Sequence, residues 1–573
     1  MHATMQETPL TVPGILRYAS RVFGATPVTT LAEGTVERTT FRAIAARAGA
    51  LAHALSEEVG VGVGDRVGTF MFNCSEHLEA MVAVPSMGAV FTPINRHLDS
   101  EQIAHTINHS GCEVVVADPR LAPRLGEVLH ECPAVRAVAF TGEVAIDGPA
   151  GELPESVAGH SLEALLDGKR TDYPWLETDE TAAAALCYST GTSGKPKGVA
   201  YSHRAICLQS LSLMAANSMG LSTRGPFLLA VPLYHSLSWG VPYAALVAGT
   251  PLVLANGDVS PENLAAVIDY ARPRAAHGVP VIWTQLLGYL REHPIEDMPL
   301  KEIFCGGSVV PPALIRAWEE NHGVDVIQVW GMTETGIAAT VARPPEDADS
   351  EAAWSYRTTQ GRFSPLVGYR VVNHGEVLGR SEHNEGEIQI AGPHVAGSYL
   401  PSQGPAEDDP KDDGSQRFAD DGWLRTGDVG SVTRDGFLAI QDGARDLISS
   451  GGEWISSVQL ENFILADERV AEVAVIGYPD DTWGERPLAI TVLRGNNEPT
   501  AATAEGLRDE LRAHLPGWMI PEYWAFVERI DQTSVNKYDK KGLRARLARG
   551  EFEIIALGPA PRRALDEDDD EQQ

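Results

Sequence analysis

The stretch Tyr188-Ser189-Thr190-Gly191-Thr192-Ser193-Gly194-Lys195-Pro196-Lys197-Gly198 constrains this chain more than any other. It follows an apolar run, Ala182 to Cys187, that reads as a buried strand, and it leads into a second, Val199 to Tyr201. A loop so dense in Ser, Thr and Gly between two strands lets several backbone N–H groups converge on one anion. The glycines permit close approach, and the hydroxyls and lysines add donors and positive charge. The pattern is not a Walker A loop, because Lys195 is followed by Pro196 rather than by Ser or Thr. A Gly/Ser turn with solvated lysines is the plain alternative. The concentration of donors at one strand end favours phosphate binding.

Lysine usage points the same way. Of 45 Lys and Arg residues, the lysines are only Lys169, Lys195, Lys197, Lys301, Lys411, Lys537, Lys540 and Lys541. Arginine carries the general positive charge, so two lysines in one loop and three near the C-terminus stand out.

A chain of 573 residues has room for several domains and a large core. Its net charge of −33 argues against nucleic acid as a partner and against strong attraction to an anionic membrane. Part of that charge sits in an acidic tail, 559–573, expected to be disordered. An anionic ligand would need local basic groups. The six cysteines (Cys74, Cys112, Cys132, Cys187, Cys207 and Cys305) show no C-x-x-C spacing and read as buried free thiols of a reducing, cytoplasmic setting. No signal-like N-terminal segment and no apolar run long enough to span a bilayer is present in the sequence.

Phe41, Ile44, Ala48, Leu51 and Leu55 recur at helical spacing between Thr40 and Glu57, with Thr39 or Thr40 available as cap. Asp65 to Met71 reads as a strand, Ser75 to Val82 as a helix, and Val114 to Ala117 as another buried strand. Alternation of this kind implies an α/β fold built on parallel sheets. Further on, Val231-Pro232-Leu233-Tyr234-His235-Ser236-Leu237-Ser238-Trp239-Gly240 places a histidine and a tryptophan in an apolar segment, consistent with a core histidine or a pocket wall. Gly306-Gly307-Ser308 and Trp330-Gly331-Met332-Thr333-Glu334 each follow an apolar run and open into a loop, the position where ligands sit in open α/β sheets. Glu334 is a carboxylate suited to Mg²⁺ that also touches phosphate oxygens, or alternatively a capping carboxylate.

Pro, Asp and Glu dominate 343–355 and 402–415, which are expected to be surface loops. Short β segments then alternate with Asp-Gly pairs at 421–422, 435–436 and 442–443, read as turns. Asp428 follows Arg425-Thr426-Gly427 and could hold ribose hydroxyls or simply serve a turn. Ser449-Ser450-Gly451-Gly452-Glu453-Trp454 opens a segment with its own helix (457–466) and strand (473–476), and Lys537 lies in a basic patch after the apolar run Trp524 to Val527. The reading is a large domain over 1–441, a hinge at 442–446 and a small α+β domain over 447–558.

Taken in order, these clusters resemble the adenylate-forming superfamily, most closely its fatty acyl-CoA synthetases, over roughly residues 11–547. The resemblance implies two half-reactions in one site: a carboxylate attacks the ATP α-phosphate to give acyl-AMP and pyrophosphate, and CoA thiol then displaces AMP. A mobile small domain would rotate between them. It implies that Ser189 to Gly198 cradle the phosphates, with Thr190 and Glu334 at Mg²⁺, and that Gly306, Gly307, Ser308, Trp330, Gly331, Met332, Thr333 and Asp428 surround the nucleotide. Lys537 would bridge carboxylate and α-phosphate, where an ammonium stabilises the charge that develops. His235, Trp239, Gly240 and Gly307 would face the acid, with Trp239 similar to the tryptophan that gates the acyl tunnel of long-chain enzymes. Arg445 would sit at the hinge, and Ser450, Gly451, Gly452 and Trp454 would be presented to CoA. Where the family's linker carries a nucleotide-contacting arginine, this chain has Gly443, and Asn536 replaces the usual glycine before the lysine. The implied activity is a ligase for a medium- to long-chain fatty acid, or else an adenylating relative for an aromatic or other acid or a non-CoA acceptor. A homodimer is the family's expectation.

Overall fold

Apolar strands separated by helices dominate the first 330 residues, and strands buried on both faces pair in parallel because each crossover helix covers a face. The computed structural model describes residues 4–32, 35–142, 153–189, 195–336, 338–401, 414–443, 446–450, 453–480, 482–495, 497–533 and 537–558. The chain divides into two compact units. One comprises Met1–Ser308, Trp318–Tyr369 and Gln389–Arg425, and the other comprises Val309–Ala317, Arg370–Ile388 and Thr426–Gln573.

The first unit holds two parallel-rich sheets. In one, the strands run in the order Ala158–Ser161, Ala137–Phe140, Cys112–Ala117, Arg66–Phe70, Val90–Pro93, Ala183–Ser189 and Lys197–Ser202, all parallel until the last antiparallel pair. In the other, Leu252–Leu254, Phe227–Leu229, Ala275–Gly278, Glu302–Gly306 and Asp325–Trp330 run parallel side by side.

Helix Phe41–Glu57 begins where the sequence predicts it. The Thr40 side chain accepts from the Ala43 N–H at 3.3 Å, and Phe41, Ile44, Ala48, Leu51 and Leu55 are buried. Burying each of the large side chains contributes about 1.5–3 kcal/mol. Helix Ser75–Ser86 continues four residues beyond the expected end at Val82, since Ala83 and Val84 prolong its buried surface. All six cysteines are buried and free, and burial raises their thiols above the ordinary range.

Two expectations are corrected. In the second half of 343–355, helix Ser350–Arg357 begins where a loop is expected, because the Asp349 side chain accepts from Ala352 N–H at 2.9 Å and caps it. Asp442-Gly443 is not a turn but the end of strand Phe437–Gly443, paired with Val429 and Asp428. The ladder overrides the local turn signal.

In the second unit, Val470–Asp480 and Gly484–Leu493 form a long hairpin that also pairs with Ile448–Ser450 and Tyr523–Phe526. Helices Ser457–Leu465, Ala501–Leu511 and Lys540–Ala548 complete an α+β arrangement.

Candidate active site

The hairpin that flanks residues 190–194 has the predicted strands. Ser189 pairs with Lys197 and Tyr188 with Gly198, so the loop leaves the ladder at Ser189 and rejoins it at Lys197. Thr190, Gly191, Thr192, Ser193 and Gly194 lie outside the described residues. Lys195 is exposed, whereas Ser189 and Lys197 are half-buried. Gly198 is closely packed. A Cβ there would lie 3.2 Å from the side chains of Leu186, Tyr188 and Leu400.

Strand Asp325–Trp330 delivers Trp330, 8% exposed and edge-on to Phe363, with Gly331 and Met332 following. The next turn, Thr333–Thr335, carries Glu334 at only 6% exposure. Five partners from distant segments hold this turn. The Tyr201 hydroxyl donates to Thr333 C=O at 2.5 Å, and Gln209 Nε2 donates to Gly336 C=O. His394 Nδ1 donates to Thr335 C=O at 3.2 Å, and the Ala396 N–H donates to Glu334 C=O at 2.7 Å. Tyr399 donates its hydroxyl hydrogen to Glu334 Oε1. Burial, then the neighbouring carboxylate, pushes the Tyr399 hydroxyl above its usual range, so it stays a donor. Its ring lies 5.7 Å from the Lys197 ammonium, which links the loop lysine to the Glu334 carboxylate. Sequence reasoning missed all five partners. Only Tyr201, directly beyond the loop, carried a positional signal.

On the neighbouring strand, Glu302–Gly306, a Cβ at Gly306 would meet Val329 C=O at 2.2 Å, so glycine there lets two strands close up. Gly307 has φ 89° and turns the chain outward to exposed Ser308.

The His235–Gly240 segment has an unusual backbone. Ser236, Leu237, Ser238 and Trp239 all have φ between 47° and 58°, and Gly240 has φ 73°, which makes one left-handed turn. Each non-glycine residue there costs about 1–2 kcal/mol, so surrounding groups must hold it. The Ser238 hydroxyl donates to Val231 C=O at 2.7 Å, and His277 Nε2 lies 3.1 Å from both Ser238 Oγ and Ser238 C=O. Because the carbonyl can only accept, Nε2 carries the hydrogen, and burial lowers the pKa of His277 to about 4, which keeps it neutral. Trp239 is fully buried and edge-on to the His277 ring at 5.2 Å, while His235 is half-buried. Gln209 wedges between this turn and the Glu334 turn. A Cβ would meet its amide at 2.8 Å from Gly240 and at 2.7 Å from Gly336.

In the second unit, the Asp428 N–H donates to Thr426 Oγ1 at 3.1 Å, and Thr426 in turn donates to Ile388 C=O at 2.6 Å. Ser450 is buried and accepts from Arg486 at 2.9 Å. Trp454 pairs with Ser449 in strand Glu453–Ile455, and Gly451, Gly452 and Arg445 lie outside the described residues. Lys537 is half-buried, with its backbone fixed by Thr533. Of the other two lysines of the patch, Lys540 is committed to Glu461 and Ser457, at 2.8 and 2.7 Å.

Residues 19–400 match the family described as AMP-binding enzyme, and residues 459–537 match the AMP-binding enzyme C-terminal domain. The chain is 35% identical to a long-chain-fatty-acid–CoA ligase of Thermus thermophilus, covering 95% of this chain and 96% of that protein. It is 34% identical to a medium-chain-fatty-acid–CoA ligase of Ectopseudomonas oleovorans, covering 95% and 97%. It is 32% identical to a 3-methylmercaptopropionyl-CoA ligase of Ruegeria lacuscaerulensis, covering 95% and 98%. The anthranilate CoA ligase AuaEII, solved with anthranoyl-AMP, shares the fold with a TM-score of 0.83 at 22% identity, covering 96% of this chain and all of that one. The chain therefore belongs to the AMP-binding enzyme family, and it is an ATP-dependent, adenylate-forming acid–CoA ligase.

Proposed function

We propose that the acid activated is a medium- to long-chain fatty acid. The observation that carries this is the apolar segment continuing from Trp239. Helix Val241–Ala248 follows directly, and Val241, Pro242, Tyr243, Ala244, Ala245, Leu246 and Ala248 in it are all buried. The long- and medium-chain activities of the relatives at 35% and 34% identity support the same class. A second reading, a short thioether acid, is favoured by the nearly equal 32% identity to the 3-methylmercaptopropionyl-CoA ligase.

In the first half-reaction a carboxylate oxygen of the acid attacks the α-phosphorus of ATP, and the bond to the pyrophosphate oxygen breaks. In the second, the CoA sulfur attacks the acyl carbon and AMP leaves. Residues 189–198 hold the β- and γ-phosphates, with Lys195 and Lys197 supplying charge. Lys537 supplies an ammonium where negative charge accumulates at the α-phosphate. Trp330 to Thr333 and Gly306 to Ser308 border the adenine, Asp428 binds the ribose, and His235 and Gly240 border the acid's carboxylate. The segment 450–454 serves CoA, and 442–446 is the hinge between the domains.

Glu334 suits Mg²⁺, since a cation that keeps its phosphate ligands needs only one or two protein carboxylates, and this one is buried and fixed by Tyr399. Glu334 and Thr190 would hold the ion, which would neutralise phosphate charge when bound.

The test is AMP release from ATP across acids from acetate to oleate, 3-methylmercaptopropionate and aromatic acids, with and without CoA. A CoA thioester formed best with acids of about eight carbons or more is the expected result. A maximum at the short thioether acid establishes the second reading, and adenylate without thioester overturns both.

A further inference from the structure

Helix Ser100–Ser110 places two histidines on one face, one turn apart, with rings 5.3 Å from centroid to centroid. His105 Nε2 lies 3.2 Å from Pro196 C=O, and His109 Nδ1 lies 2.8 Å from the Tyr188 hydroxyl. Tyr188 and Pro196 are the two stems of the phosphate loop, one just before Ser189 and one just before Lys197. A single helix therefore grips both ends of the loop.

The helix is well placed to serve as a fixed reference. The Asp99 side chain caps its start, accepting from the Gln102 N–H at 2.8 Å, and Gly111 closes its end with φ 66°. Ile103, Ala104 and Ile107 bury its inner face, and the Asn108 side chain donates to Glu131 C=O at 2.8 Å. On the loop side, the strand ladder ends at Ser189 and Lys197. Pro196 has no N–H and cannot extend that ladder. Its carbonyl is instead held by His105, and since a carbonyl only accepts, His105 Nε2 carries the hydrogen. The Tyr188 ring is buried against the hairpin and edge-on to His109, at 5.7 Å and 84°. Gly198 leaves room for that ring, as a Cβ there would meet Tyr188 Cζ at 3.2 Å.

We infer that His105 and His109 are positioning residues for the ATP triphosphate, acting through the stems of the phosphate loop and touching no substrate themselves. The inference rests on the reading of residues 189–198 as the phosphate site. Only the first half-reaction engages the β- and γ-phosphates, because pyrophosphate has left before CoA reacts. Loosening the stems therefore raises the Michaelis constant for ATP and leaves thioester formation from supplied acyl-adenylate unchanged.

The experiment uses the full-length enzyme with the best acid of the panel and its synthetic acyl-adenylate. It compares His105→Ala, His105→Gln, His109→Ala, Tyr188→Phe, the double variant His109→Ala/Tyr188→Phe and Lys195→Ala. Losing one hydrogen bond of ordinary strength corresponds to a rise of roughly fivefold in the Michaelis constant for ATP. That rise is expected for His105→Ala, with recovery in His105→Gln, which keeps an N–H for Pro196. His109→Ala and Tyr188→Phe should each raise it, and the double variant should rise by less than the two effects combined, because each single change already removes the His109–Tyr188 bond. The acyl-adenylate half-reaction should stay at the wild-type rate throughout. An unchanged ATP constant in both alanine variants, alongside a raised one in Lys195→Ala, overturns the positioning role and leaves the phosphate loop standing. No change even in Lys195→Ala overturns the reading of the loop and this inference with it. A parallel fall in both half-reactions reduces the histidines to a structural role.

Discussion

Tyr399 donates its hydroxyl hydrogen to Glu334 while its ring lies beside the Lys197 ammonium. One side chain thus positions a buried carboxylate and borders the lysine at which the hairpin ladder resumes. Tyr399→Phe keeps the ring and removes the donor. A hydrogen bond to a charged group contributes about 1.5–3 kcal/mol, so adenylation efficiency should fall roughly 10- to 100-fold, while thioester formation from acyl-adenylate changes less. Equal kcat/KM for ATP in the variant and the wild type would remove Tyr399 from the site.

His277 sets an acid limit. It titrates near pH 6.5 in an unfolded chain but near 4 when folded, because it is buried. Between those values the unfolded chain binds more protons, so stability is fully present above about pH 6.5 and declines toward pH 4 at about 1.4 kcal/mol per pH unit. His77 and His203, also lowered to about 4 by burial, act in the same direction. The thermal midpoint should drop between pH 6.5 and 5, and His277→Gln, which keeps a donor for Ser238, should make that slope shallower. An identical slope in the variant contradicts this account.

Lys537→Ala should lower acyl-AMP formation by at least about 100-fold, the scale of removing one charge-stabilising donor. CoA transfer from supplied acyl-AMP should survive. Pyrophosphate release and thioester formation, assayed separately, check this, and loss of both steps would contradict the assigned role.

Gly443 has room for a side chain. Among the described residues, a Cβ there would meet only Asp446 Oδ2, at 3.7 Å. Gly443→Arg should fold normally and, if 442–446 is the hinge proposed above, the added guanidinium should lower the Michaelis constant for ATP several-fold. An unchanged constant with an unchanged melting point would show that this chain has no use for the family's arginine.

Much of this fold is legible in the sequence because its strands are continuous apolar runs and its helices carry period-3.6 stripes. The hairpin at Ser189 and Lys197, the helix capped by Thr40 and the loop carrying Glu334 follow from such local signals. What stayed hidden is non-local. Tyr399 reaches Glu334 from 65 residues away, and Gln209 reaches Gly336 from 127 away, with no pattern marking either. Asp442-Gly443 carries a strong turn signal that pairing with Asp428 overrides, and Asp349 turns an acidic, Pro-rich stretch into a capped helix. The residues Ser236 to Trp239 contain no glycine, so nothing in them announces positive φ.

That left-handed turn bears on how the enzyme can be redesigned or can drift. At four consecutive positions a β-branched replacement would meet a backbone it cannot adopt, whatever its volume. Attempts to reshape substrate range by directed evolution should therefore find few viable alleles at 236–239. Adaptive changes would concentrate instead on helix Val241–Ala248, whose backbone is right-handed and tolerant of exchange among apolar residues.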